Sequence, residues 1–178
     1  MFREIKEIAR DRNEPRFFPS MHTGEVWEFT KGIFLGLEPQ HETPCLGRAV
    51  VESIGFAVRD HIGTLEQNGC QVEELRVCGG KERNTIWNQM KADITHKNVA
   101  LPAIKDAELL GNACVGFTGE GRFSSIKEAS DELVHIQHIL TPNEKEAAFY
   151  DEAFDRYMNV CNNIVAAVSA IDASELSE

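Results

Sequence analysis

The sequence predicts an α/β fold, because short apolar runs that fit strands alternate with stretches that repeat at helical spacing. The centre of the chain shows both patterns side by side. The run from Val72 to Val77 is followed closely by the pair Gly79-Gly80, and then Ile86, Met90 and Ile94 recur every four residues. Along the whole chain the predicted order is helix, two extended segments, long helix, strand, turn, helix, strand, two helices and a long final helix.

Length and composition are those of an ordinary globular domain. The 178 residues suffice for a single domain, 1–178, with a core, and 42% of them are hydrophobic. The formal net charge of −11 argues against a general nucleic-acid binder or a protein that binds anionic membranes. A small anionic ligand is not excluded, because small-ligand sites depend on local charge. The sequence has no run near the ~20 apolar residues of a membrane helix, and no signal-peptide core.

The cysteines predict a reducing compartment. There are five of them, they are scattered, and no Cys-x-x-Cys pair occurs. An odd number without a paired spacing favours reduced thiols over a disulfide framework. The expected location is therefore cytoplasmic.

Two predicted helices and a turn-rich region occupy the first 70 residues. Residues 1–11 predict a short amphipathic helix, and residues 13–40 contain turns with two extended segments. Thr43 to Gly69 predicts a long helix with Thr43 as N-cap and Gly69 as C-cap. Arg48 and Glu52 are expected to pair across one turn of it, as scaffold. Its predicted buried stripe consists of Leu46, Val50, Ile54, Val58, Ile62 and Leu65.

A strand and a helix of small residues follow the central unit. Asn98 to Ile104 predicts a short strand, whose pairing Pro102 limits to an edge or an end. Asp106 is expected to cap a helix that reaches about Phe117 and contains interior glycines. Each interior glycine costs about 1 kcal/mol relative to alanine, so something is expected to approach this helix closely, either the sheet on which it packs or a ligand.

Capping signals mark the start of the last two helices. Ser125 to Glu128 form a predicted capping box for a helix that ends near His135, and Thr141 to Glu144 form another for a long helix to about Ile171. His135 and His138 are three residues apart, but no third ligand lies nearby in sequence. Because zinc sites need three or four protein ligands, no metal site is predicted here.

The glycine turn is the candidate binding site. Gly79 and Gly80 lack Cβ atoms, so a ligand can approach their backbone closely. The helix that follows presents unpaired N–H groups and the positive end of its dipole. Asn84 is placed to cap that helix, and its amide can equally face a ligand. Lys81 and Arg83 add local positive charge. These features predict a nucleotide or anion site, and the alternative is a plain strand-to-helix turn.

Three motifs occur in a fixed order along the chain. They are RAVVE at 48–52, the glycine pair followed by Trp87 and AD at 92–93, and LG at 110–111. This order resembles the C-terminal domain of the FGGY family of carbohydrate kinases, over roughly Pro19 to Tyr157. The resemblance places His22-Thr23-Gly24-Glu25 in a structural loop, so no catalytic His–Glu pair is expected there.

The resemblance implies a fold and an activity. The fold is a ribonuclease H-like, actin-like ATPase domain with a mixed sheet flanked by helices. The activity is transfer of the ATP γ-phosphoryl group to a small sugar or polyol, as in xylulokinases, fuculokinases and glycerol kinases. The family's sugar-binding N-terminal domain and its catalytic aspartate lie upstream of this match, so we expect no catalytic residue in this chain. The ligands of Mg²⁺ are expected mainly from that other domain.

The resemblance also assigns roles around the turn. Gly79, Gly80 and Asn84 would line the adenosine side of an ATP or ADP site, with Lys81 at its rim. Lys81 replaces a third small residue found in many members, Asn112 replaces another, and His96-Lys97 stand where a glycine is frequent. A non-catalytic module for assembly or regulation is the alternative function, and a homodimer stays open.

Overall fold

The computed structural model describes residues 2–7, 14–19, 32–79, 84–104 and 106–175. Helices and strands alternate within these residues, which confirms the α/β prediction. Their order is α1 (Phe2–Glu7), β1 (Arg16–Phe18), β2 (Ile33–Leu35), α2 (Thr43–Gln67), β3 (Glu74–Arg76), α3 (Thr85–Thr95), β4 (Asn98–Pro102), α4 (Ala107–Gly119), α5 (Ile126–Leu133), β5 (Ile136–Leu140) and α6 (Glu144–Glu175).

The main sheet is mixed, as expected. Its strand order is β3-β4-β5, with β4 parallel to β3 and antiparallel to β5. Pro102 ends β4 where the register with β5 shifts, so the proline interrupts no central ladder. The sequence does not predict strand β5. Its middle residues are exposed, so buried and exposed positions do not alternate along it. Strands β1 and β2 form a separate antiparallel pair.

Helix α2 has the predicted length but a different start and a different buried face. Glu42 occupies the N-cap position without a side-chain hydrogen bond, so the prediction that Thr43 caps the helix is wrong. Gly69 has a φ of +86°, as the predicted C-terminal glycine requires. Leu65 of the predicted stripe is 48% exposed. The buried residues of α2 are Arg48, Ala49, Val51, Glu52, Ser53, Gly55, Phe56 and Ile62.

The buried face of α2 carries two charged side chains, Arg48 and Glu52, and their partners lie outside this helix. Nη1 of Arg48 lies 2.5 Å from Oε1 of Glu14, and its Nη2 donates to the carbonyl of Ile5. Glu52, only 1% exposed, accepts from Nη1 of Arg16 and from the hydroxyl of Tyr150, both at 3.3 Å. Two arginines therefore face two glutamates, and this buried cluster joins α1, β1, α2 and α6. Its role is scaffold, since every group has a structural partner.

An aromatic core lies beside these charges. Phe56 packs on Tyr150 and Tyr157 of α6, with ring centroids 6.3 and 4.9 Å apart. Phe18 of β1 stacks on Tyr157 at 4.6 Å, and the Tyr157 hydroxyl donates to the carbonyl of Phe17 at 3.1 Å. The same helix face therefore anchors both the hairpin and α2.

Local capping signals were mostly correct. Ser125 accepts from the N–H of Glu128, and Asp106 accepts from the N–H of Leu109, both at 3.1 Å. Helix α6 differs from the prediction, because Asn143 rather than Thr141 accepts from the first-turn N–H groups. The helix therefore begins at Glu144.

Candidate functional site

Gly79 lies at the carboxyl end of β3, where the parallel pair β3–β4 opens. The N–H of Val77 still donates to the carbonyl of Ala100 at 3.1 Å, and the chain then turns away. Gly79 has a φ of +79°, and a Cβ placed on it would meet no atom of the described residues within 4 Å. The left-handed backbone favours glycine, and the open space leaves room for a ligand against the main chain. Ligands of open α/β sheets bind outside this end of the strands.

Asn84 begins α3, as predicted. Its Oδ1 accepts from the N–H of Trp87 at 3.1 Å, which satisfies one of the unpaired donors of the first turn. The cap therefore uses the oxygen of the amide. Among the described residues, no acceptor takes a hydrogen bond from its Nδ2, which remains a donor for a ligand.

The other predicted site residues lie outside the described residues. These are Gly80 and Lys81, together with the neighbouring Arg83. Of the four residues assigned to the nucleotide site, the structure therefore places Gly79 and Asn84, at the two ends of one strand-to-helix connection.

A second loop leaves the sheet at the same end as the glycine turn. Strand β4 ends at Pro102, and Asp106 begins α4 beyond it. The N–H of Ala103 donates to the carbonyl of His135 at 2.8 Å, which ties this loop to the start of β5. Because β3 and β4 are parallel, their carboxyl ends lie at the same end of the sheet. The first turn of α4 therefore lies at the end of the sheet where Gly79 is.

A polar network joins the middle of α3 to the residues that precede α6. Nε2 of Gln89 donates to Oδ1 of Asp93 and to the carbonyl of Thr141, both at 2.8 Å. The N–H of Asn143 donates to the same Asp93 oxygen at 2.8 Å. Asp93 is buried, so these bonds fix α3 to the start of α6. The Ala-Asp motif therefore supports the helix that follows the glycine turn.

The far end of α3 has an unusual backbone. His96 has a φ of 56°, a left-handed conformation that favours glycine. Its Nε2 lies 2.7 Å from Oδ1 of Asp151, which also contacts Nη2 of Arg59 at 2.7 Å. Partial burial works against the charged form, but the hydrogen bonds from Arg59 and His96 hold the pKa of Asp151 below its ordinary value.

A cleft of about 820 Å³ borders α3 on another side. Neither Gly79 nor Asn84 lines it. Its lining residues are Ile5, Arg48, Thr85, Ile86, Gln89, Met90, Asp93, Leu140, Thr141, Pro142, Asn143 and Glu146. Several of these belong to the network that joins α3 and α6.

Metal ligands and membrane spans were sought in the same residues. The described part of the chain contains no group of three or more His, Cys, Asp or Glu side chains arranged for a metal ion. His135 and His138 do not share a helix, because one precedes β5 and the other lies in it. No helix within the described residues is long and apolar enough to cross a membrane.

Comparison with known proteins matches the resemblance seen in the sequence. The family model for the FGGY family of carbohydrate kinases, C-terminal domain, matches residues 14–120. The L-xylulose/3-keto-L-gulonate kinase of Escherichia coli is 27% identical over 146 residues, which cover 82% of this chain and 28% of that protein.

Solved structures show the same fold. A ligand-bound xylulose kinase from Lactobacillus acidophilus superposes on 96% of this chain with a TM-score of 0.81 and 22% identity, and this covers 35% of that kinase. A glycerol kinase from Plasmodium falciparum, solved with ADP, superposes on 90% with a TM-score of 0.70 and 16% identity, covering 33% of its chain. The fold is thus that of the actin-like ATPase domain, and the chain spans about a third of these proteins.

Proposed function

Because this chain belongs to the FGGY family of carbohydrate kinases, we propose that it supplies the ATP-binding C-terminal portion of such a kinase. The complete enzyme would transfer the γ-phosphoryl group of ATP to a hydroxyl of a small sugar, a pentulose, hexulose or polyol. Pentuloses are the first substrates to test, since relatives are named xylulose and L-xylulose kinases.

The observation that supports ATP binding is the backbone at Gly79. Its positive φ and the empty space over its α-carbon leave the main chain open to a ligand at the carboxyl edge of the sheet. At the start of α3, the oxygen of the Asn84 amide caps the helix, and no acceptor among the described residues takes a hydrogen bond from its nitrogen. A nucleoside fits a site that offers backbone approach and one directed amide donor.

The residues of this chain would bind and orient the nucleotide rather than react. Phosphoryl transfer needs held phosphates, Mg²⁺ and an oriented hydroxyl near a base. When bound, Mg²⁺ neutralises phosphate charge. The family resemblance implies that its ligands come mainly from the other part of the kinase. This chain alone is expected to show no sugar-dependent turnover, and to bind ATP at about millimolar Kd.

Cysteine protection tests the site on the 178-residue chain itself. Cys78 and Cys70 are both exposed, and Cys78 is adjacent to Gly79, whereas Cys70 precedes β3. ATP at several times the expected Kd, about 10 mM, should slow alkylation of Cys78 several-fold and leave Cys70 unchanged. The measurement is the alkylation rate of each peptide by mass spectrometry.

Two variants of Asn84 separate capping from ligand contact. Asn84→Asp keeps an equally good cap but loses the amide donor, so the melting temperature should hold while ATP protection of Cys78 disappears. Asn84→Ala should lose protection and also about 1 kcal/mol of stability. Equal alkylation of Cys78 with and without ATP in the unmodified chain would refute the site.

Sugar specificity requires the kinase with its remaining segments. The assay is ADP release over a panel of pentuloses, hexuloses and polyols. Turnover with any of them supports the proposed reaction, and its absence with the complete enzyme would reject carbohydrate phosphorylation.

A further inference from the structure

One face of α3 lines the cleft of about 820 Å³. The residues concerned are spaced one, three or four positions apart, which places them on the same side of a helix. They are Thr85, Ile86, Gln89, Met90 and Asp93. The other walls come from α1, from the start of α2 and from the end of β5 with its connection to α6. A volume of this size is within the range of small-molecule sites.

The charged residues of the cleft have partners within the protein. Arg48 is paired with Glu14, and Asp93 accepts two hydrogen bonds from other residues of the chain. Glu146 has an interaction partner as well. Because the charge of Arg48 is neutralised by Glu14, an anion in the cleft would meet the two carboxylates of Asp93 and Glu146 without a compensating cation. The cleft therefore favours a neutral ligand.

Neutral hydrogen-bonding groups remain available in the same cleft. Nε2 of Gln89 donates to a carboxylate oxygen and to a backbone carbonyl, so the orientation of the amide is fixed. No donor among the described residues reaches its Oε1. The hydroxyls of Thr85 and Thr141 also lack a hydrogen-bond partner within the described part of the chain, and both residues are exposed. Together these groups can both donate to a ligand and accept from it.

Apolar side chains complete the cleft. Met90 is 7% exposed and Ile5 is 1% exposed. Ile86, Leu140 and Pro142 are half-buried. Small-molecule sites combine such apolar surface with a few placed polar groups. A matching ligand presents C–H surface and hydroxyl groups on one small skeleton.

We propose that this cleft binds a small neutral polyhydroxylated molecule, a sugar or a sugar alcohol. Its carbon skeleton lies against Met90, and its hydroxyls meet Gln89 and the hydroxyls of Thr85 and Thr141. The site is separate from the glycine turn and from the substrate site that the family resemblance places in the other domain. With so few contacts, the expected Kd is about millimolar. The inference rests neither on nucleotide binding nor on phosphoryl transfer.

Methionine methyl NMR on the 178-residue chain observes the cleft directly, with xylitol as the probe. Of the four methionines, Met90 lines the cleft, whereas Met158 packs beside the aromatic core. Titration to about 50 mM xylitol should shift the Met90 methyl signal along a saturable curve and leave that of Met158 unchanged. Met90→Leu assigns the signal.

Two charged analogues with the same five-carbon skeleton test the ligand class. Xylonate carries a carboxylate, and 1-amino-1-deoxyxylitol carries an ammonium group. Xylonate should bind at least about tenfold more weakly than xylitol, because it meets the carboxylates of Asp93 and Glu146. The amine should bind no more tightly than xylitol, since both carboxylates already have partners.

Valine substitutions test the hydroxyls without changing the shape of the side chains. The double variant Thr85→Val with Thr141→Val should weaken xylitol binding at least about fivefold. Its melting temperature should not change, because neither hydroxyl has a hydrogen-bond partner within the described residues. Thr64→Val is the matched control, since Thr64 is an exposed threonine of α2 that does not line the cleft. It should leave the Kd for xylitol unchanged.

Three results would overturn the proposal. The first is an unchanged Met90 signal at the highest xylitol concentration, or Met90 and Met158 signals that shift together without saturation. The second is tighter binding of either charged analogue than of xylitol. The third is a Kd for the folded double variant equal to that for Thr64→Val. None of these readouts uses ATP or turnover, so the proposed function can fail separately.

Discussion

Helices α2 and α4 both contain glycine, and the two helices use it differently. A Cβ on Gly55 of α2 would lie 2.5 Å from Cδ1 of Ile94 in α3. Among the described residues, a Cβ on Gly111 or Gly116 of α4 would meet no atom within 4 Å, and the same holds for Gly63 of α2. Packing inside the chain therefore explains Gly55 but not Gly111 or Gly116. The region around Gly55 of α2 is packed against α3, whereas the described residues leave open space beside Gly111 and Gly116 of α4.

The region around α2 also pairs its own buried charges. Arg16, Arg48, Glu14 and Glu52 pair among themselves and join α2 to β1 and to the segment before it. The region of α4 and α5 has exposed ion pairs between near neighbours instead, such as Lys127 and Asp131 of α5. The contrast predicts that substitutions in the first region change stability strongly, and equivalent ones in the second change it little.

The largest expected difference is between two apolar truncations. Phe56→Ala removes a fully buried ring from the aromatic core and should cost about 3–5 kcal/mol of unfolding free energy. Val115→Ala in the isolated chain should stay within about 0.5 kcal/mol, because Val115 is exposed. Urea denaturation of both variants measures the two values. Similar costs would mean that α4 is packed in solution.

The next largest effect concerns buried and exposed charges. Glu52→Gln removes the buried charge 3.3 Å from Arg16, which keeps Glu14 at 3.8 Å, and should cost about 3 kcal/mol. Lys127→Ala breaks an exposed pair four residues apart and should cost no more than about 0.5 kcal/mol. Thermal melts at low and high salt compare them. A cost for Glu52→Gln as small as that for Lys127→Ala would show that the cluster is not closed in solution.

Alanine in place of Gly55 of α2 and of Gly116 of α4 should change the unfolding free energy in opposite directions. Gly55→Ala gains helix propensity but displaces the buried Ile94 side chain, with a net loss of about 1 kcal/mol. Gly116→Ala in the isolated chain should gain about 1 kcal/mol, since the added methyl meets no atom. Chemical denaturation gives both signs. A gain at Gly55 would mean that Ile94 moves aside at little cost.

The smallest effect is a pH dependence at Asp151. Its pKa is lower in the folded chain than in the unfolded chain, so the contribution to stability is complete above the ordinary Asp pKa of about 3.9. The contribution is lost as the pH falls through the folded pKa. The melting temperature of Asp151→Asn should therefore lie slightly below that of the parent from pH 5 to 7 and converge with it below about pH 4. A difference that persists at pH 2 would contradict this assignment.

Residues with short-range partners could be predicted from the sequence. Asn84, Asp106 and Ser125 each accept a hydrogen bond from an N–H three residues further on. Such bonds form wherever the local backbone enters a helix, so neighbouring residues suffice to identify them. The alternation that predicts α/β and the motifs that resemble the kinase family are of the same kind.

Contacts between distant residues decided the rest. Arg48 meets Glu14 across 34 positions, and Glu52 meets Tyr150 across 98. The sequence pattern assigned both charges to a scaffold role but paired them with each other across a turn and left them outside the buried stripe. Their burial depends on partners that only the tertiary structure brings close, because a charge enters a core when another element neutralises it. Strand β5 likewise depends on its pairing with β4. The open space at Gly79 depends on where strands β3 and β4 end.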